Sequence, residues 1–146
     1  MVKKALLVLL VVVLGLHIRG YNRFDVDGAS EWLKENSMAR SKTCCAWWVM
    51  RAMQEGGLPA VILPAWAYEY YLPVLGFQEI EAGKGYKPEK GDIYVYQRAG
   101  TSMWGHIAMW TGEQWMSDFR QKGVCVSKNY QGVKPVYFRH RSQIGN

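Results

Sequence analysis

An α+β domain with N-terminal helices packed on an antiparallel sheet is predicted by three features of this 146-residue sequence. Apolar residues recur at helical spacing between about residues 26 and 72. Residues 92 to 138 instead carry short runs of aromatic and β-branched residues, and the polar loop Lys84 to Lys90 separates the two styles. With 49% hydrophobic and 14% aromatic residues the chain can bury one core, and its length predicts one domain.

Residues 1 to 20 stand apart from that domain. Lys3 and Lys4 precede an unbroken apolar run, Ala5 to Leu14. The run is shorter than the roughly 20 residues of a membrane span and is placed as the core of a secretory signal would be. No Ala-x-Ala site follows, and Gly15 behind Val13 is the best small residue, so a cleaved signal, an uncleaved anchor and a misplaced start all stay open. As a signal, the segment predicts an exported domain over residues 21 to 146, periplasmic, envelope-bound or extracellular, with no stable membrane span.

Val26, Ala29, Trp32 and Leu33 form a helical stripe behind Asp25 or Asp27 as cap. Ser41 is positioned to cap a second helix from Lys42 to about Glu55, stopped by Gly56-Gly57. Pro64 suits the first turn of a third helix, Ala65 to Leu72, closed by Pro73. Strands are predicted at Asp92 to Tyr96, His106 to Trp110, Trp115 to Asp118 and Val136 to Phe138, the middle two joined as a hairpin through Thr111-Gly112-Glu113-Gln114.

The formal charge of +6 leaves an anionic partner open. Removing residues 1 to 20 leaves 15 basic against 12 acidic residues, only mildly basic. Lys and Arg are scattered and no zinc-finger, RNP or helix-turn-helix signature occurs, which argues against a nucleic-acid partner. Cys44, Cys45 and Cys125 lack the Cys-x-x-Cys spacing of zinc sites and are too few for a disulfide scaffold.

An odd cysteine count raises the question of a reactive thiol. On the second helix Cys45 shares its face with Trp48, Val49, Ala52 and Met53, an apolar stripe that must pack on the body, whereas Cys44 sides with Trp47, Arg51 and Glu55. Cys45 is therefore the candidate nucleophile, and a place in the first helical turn favours a thiolate. The inert alternative is a cysteine packed as a small hydrophobe. Of the three histidines, His17 falls in the signal and His140 between Arg139 and Arg141, leaving His106 after Gly105 as the base. If Trp110 pairs with Gln114, His106 lies opposite Asp118 on one face, and Asp118 can orient the imidazole. A register one residue different sends Asp118 to the other face.

Four stretches in order resemble the papain-like cell-wall amidases of the NlpC and CHAP group. Ser41 to Met53, with Cys45-Ala46 and the pair Trp48-Val49, resembles their nucleophile helix. Gly91 to Tyr96 resembles the strand before their histidine, Gly105 to Gly112 the histidine strand, and Trp115 to Gln121 the third-residue strand of small phage-lysis and type VI effector amidases. The resemblance implies a papain-like fold and hydrolysis of an amide of the peptidoglycan peptide stem through an acyl-enzyme on Cys45. His106 and Asp118 complete the triad, and Trp104, Trp47 and Ser41 are the expected substrate contacts. No cofactor or metal is required, and an immunity or inhibitor protein of unknown identity is a further partner. Rival readings keep the fold: an acyltransferase, a protein-directed cysteine peptidase, or a silent wall-binding module in which Trp47, Trp104 and Trp115 line a groove.

Overall fold

The computed structural model describes residues 23 to 145, so the expected signal at residues 1 to 20 lies outside them. Asp25 caps helix α1, Val26–Asn36, by accepting hydrogen bonds from the N–H groups of Asp27 and Gly28. Helix α2, Cys45–Glu55, ends at Gly56. A 3₁₀ turn at Ala65–Ala67 runs into the single helical turn α3, Tyr68–Tyr71.

Five strands follow: β1 Phe77–Ile80, β2 Ile93–Tyr96, β3 His106–Trp110, β4 Trp115–Met116 and β5 Val136–His140. They form one sheet in the order β1-β5-β2-β3-β4, every pairing antiparallel. The α+β class read from the sequence is the observed one. β1 is the unpredicted strand: between Gly76 and the polar loop, Gln78 and Glu79 hide its half-buried pattern.

The pleat separates two cores. Ile93, Val95, Ile107, Met109 and Phe138 face the helices and pack with Leu33, Val49, Ala52 and Met53. Tyr94, Tyr96, Ala108 and Trp115 occupy the opposite face, covered by Tyr130 and the segment around it. Every residue of β2 is buried, as expected of a strand covered on both sides.

Two predicted boundaries are corrected. The second helix begins at Cys45 and not at Lys42, because Ser41 caps no helix: its hydroxyl donates to Asp118 Oδ2 (3.0 Å) and accepts from Thr43 N–H (3.1 Å). The predicted strand Trp115 to Asp118 keeps only its first two residues. The chain reverses behind Met116, held by Ser117 N–H to Phe119 O (3.1 Å) and Gln121 N–H to Trp115 O (3.0 Å). Among the described residues no helix is long and apolar enough to cross a membrane.

Candidate active site

Cys45 is the first residue of α2, where backbone N–H groups have no acceptor within the helix. It packs partly buried on the helix-side core while Cys44 is exposed, the division that the helical phase predicts. The backbone N–H groups of Ile107 and Ala46 favour the thiolate form of Cys45. Ile107 has a free N–H for a topological reason. Trp110 N–H points to β2, bonding Asp92 O at 2.8 Å, so by the two-residue period the Ile107 N–H points toward β4, which has ended at Met116. The early stop of β4 thus leaves this donor, next to His106, without a strand partner, and it favours the Cys45 thiolate.

His106 begins β3 on the aromatic face, 7% exposed, with ring centroids of Tyr94, Phe119 and Tyr130 at 6.0, 6.1 and 6.2 Å. Gly105 makes that position attainable: its φ of +70° is in the left-handed region, and a Cβ there would lie 2.3 Å from Tyr96 O. Among the described residues the thiol and the imidazole make no direct hydrogen bond. Burial lowers His106 to about 4 against an opposing pull from Asp118, and burial pushes the Cys45 thiol up to about 11. Both groups are thereby held neutral, one a thiol and the other an imidazole.

The imidazole is held by a residue the sequence did not single out. Gln121 Nε2 lies 2.8 Å from His106 Nε2 and 3.0 Å from Ser117 Oγ, while Tyr94 donates its hydroxyl hydrogen to Gln121 Oε1 at 2.6 Å. Asp118 does not bond the ring, which corrects its expected place. The hairpin pairs Trp110 with Trp115 around a four-residue loop, one residue away from the register that would face Asp118 to His106. Fully buried Asp118 instead accepts from Ser41 Oγ, from Lys42 N–H (2.5 Å) and Cys44 N–H (3.3 Å) on Oδ2, and from Ser117 Oγ (3.0 Å) on Oδ1. Gln121 ends the stretch Trp115 to Gln121 that resembles the third-residue strand. Only the reversal at Ser117 to Arg120 brings it back beside β3.

A groove of about 560 Å³ opens at the thiol, walled by Cys45, Trp47, Trp48, Ile62, Pro64 and Trp104. Of the residues expected to contact substrate, Trp47 and Trp104 line this groove, 42% and 69% exposed, and Ser41 does not. Trp115 is buried in the aromatic core, away from it. No group of three or more His, Cys, Asp or Glu among the described residues could hold a metal ion.

No family model matches the chain, and no curated protein matches it. Among solved structures it is similar to a chain of the type VI native effector–immunity complex Tae3–Tai3 from Ralstonia pickettii. The identity is 29% and the TM-score 0.70, over 81% of this chain and 100% of that one. It is also similar to a chain of the selenomethionine form of that complex, at 32% identity and TM-score 0.65, over 76% of this chain and 96% of that one. At that identity, across nearly the whole of the matched chain, this protein belongs to the effector-like α+β family represented in the Tae3–Tai3 complex.

Proposed function

We propose that the protein is a thiol amidase acting on the peptide stem of peptidoglycan, as an effector delivered to the cell envelope. The observation that carries the chemistry is the thiol of Cys45 at a helix start, its thiolate favoured by the N–H of Ile107, the residue after His106, and open to an apolar groove. The substrate reading rests on the ordered likeness to cell-wall amidases, and the delivery on the family match. Neighbours taken from effector–immunity complexes also support an immunity protein as partner of this chain.

In the proposed reaction the Cys45 sulfur bonds the carbonyl carbon as its proton passes to His106, and N–H groups at the start of α2 receive the oxyanion. The imidazolium then protonates the leaving amine, the C–N bond breaks, and an acyl-enzyme remains on sulfur. Water, losing a proton to His106, releases the acid and restores the thiol. Asp118 serves as the anchor of the loop before the nucleophile, and Gln121 takes the third position beside the ring.

The test is digestion of purified peptidoglycan, with new amine and carboxyl termini read by mass spectrometry. Wild type yields cleaved stems, Cys45→Ala none, and Cys44→Ala most of the wild-type yield. Equal loss in both variants removes Cys45 from its role, and absence of cleaved stems with wild type removes the substrate. A second reading, acyl transfer, is favoured by one observation: no charged residue lines the groove. An acyl group trapped on Cys45 from lipid but not from wall fragments selects it.

A further inference from the structure

The hydrogen-bond network assigns the resting proton of His106 to Nδ1, and we infer that Ser117 is the positioning residue that keeps it there. A chain of contacts joins the two sides of the site: Asp118 Oδ1, Ser117 Oγ, Gln121 Nε2 and His106 Nε2, at successive separations of 3.0, 3.0 and 2.8 Å. Its donor directions follow from the inventory of each group. The Asp118 carboxylate accepts only, so the single hydroxyl hydrogen of Ser117 is spent on it. Ser117 Oγ can then only accept from Gln121, which places the amide nitrogen at that end. The same nitrogen faces His106 Nε2 and donates its second hydrogen there, so Nε2 carries a lone pair and the ring proton sits on Nδ1.

Turning the Gln121 amide by half a rotation would present Oε1 to the ring and favour the Nε2–H form. Tyr94 does not oppose this, because its hydroxyl can accept from the turned amide while donating to Val124 O at 3.2 Å. Ser117 does oppose it: Oε1 would meet a hydroxyl oxygen whose hydrogen is committed to Asp118, two lone pairs at 3.0 Å. One hydroxyl in a fully buried position therefore breaks the symmetry of the amide.

The consequence for turnover rests on the proposed Cys45–His106 chemistry. With Nε2 engaged by Gln121, Nδ1 is the ring nitrogen left for the thiol proton, and at rest it is occupied. Activation is the amide turn coupled to a tautomer change, in which Nδ1 releases its proton to water and Nε2 takes one up. The thiol proton then moves to Nδ1 while Nε2–H donates to Gln121 Oε1.

The test is ¹⁵N NMR of the full chain labelled in histidine, with the His106 signals identified by their loss in His106→Asn. The Nδ1 and Nε2 shifts and their couplings to the ring C–H protons distinguish the tautomers. Wild type shows Nδ1–H, Tyr94→Phe keeps it, and Ser117→Ala shifts the population toward Nε2–H and raises kcat at unchanged KM. Nε2–H in wild type overturns the assignment, and an unshifted Ser117→Ala removes Ser117 from the role. A shifted tautomer with unchanged kcat in a working enzyme overturns the activation step alone. The spectra need no substrate, so they stand or fall separately from the amidase reading.

Discussion

At the scale of single residues, the site works by withholding charge. Cys45 and His106 are both buried enough that each is held in its neutral form, the thiol raised to about 11 and the imidazole lowered to about 4. The helix start and the Ile107 N–H favour thiolate, but desolvation outweighs them. Iodoacetamide should therefore modify Cys45 more slowly than exposed Cys44 and Cys125 near neutral pH, with its rate climbing toward pH 11. Peptide mass spectrometry over a pH series reads all three sites at once, and fast neutral labelling of Cys45 would show a preformed ion pair instead. Gln121 is the second residue-level test. Gln121→Ala leaves the ring unoriented, so kcat should fall, but by less than the roughly 10²- to 10⁴-fold that general-base catalysis supplies as a whole. Steady-state kinetics on wall fragments, with His106→Ala as the lower limit, measures that difference.

Between elements, Asp118 ties the end of β4 to the loop that launches α2. Thr43 in that loop has a φ of +62°, an uncommon conformation for a residue with a Cβ, and Asp118 Oδ2 receives the N–H groups on both sides of it. Removing the carboxylate leaves those donors unmatched, at about 1–3 kcal/mol for each that stays buried. Asp118→Ala should thus lower unfolding free energy in denaturant by about that much, whereas Asp118→Asn, which keeps an acceptor, should lose less. Equal losses would show that the loop does not depend on the acceptor. The same region marks where sequence reading stops. The caps, glycines and apolar periods of α1, α2, β2 and β3 are local signals, and they delivered those elements, with Cys45 at the start of α2 and His106 at the start of β3. Register in a hairpin depends on one residue of loop length, and Trp110 meets Trp115 where Gln114 was expected. The reversal at Ser117 to Arg120 is fixed by long-range bonds, Met38 N–H to Asp118 O and Arg120 N–H to Met38 O, which no local pattern announces. Hence Gln121, which the sequence did not single out, stands at the ring in place of Asp118.

For the whole molecule, the sheet divides the site: the thiol belongs to the helix-side core and the imidazole to the aromatic side. With His106 buried, Cys45 partly buried and both neutral, pH couples to global stability from two directions. His106 has a folded value near 4 against an ordinary 6.5, so the unfolded chain binds its proton more readily. Stability from this group is complete above pH 6.5 and is lost as pH falls through 6.5 toward 4, amounting to about 3 kcal/mol. Cys45 has the opposite sign of dependence: its folded value of about 11 exceeds the ordinary 9.0, so its contribution is complete below pH 9 and is lost between 9 and 11. Denaturant titrations from pH 4 to 7 should show stability rising with pH, and His106→Asn should flatten that rise because asparagine has no proton to bind. A slope unchanged in His106→Asn would assign the acid sensitivity to other groups and would mean that the imidazole is better solvated than its packing against Tyr94, Phe119 and Tyr130 implies.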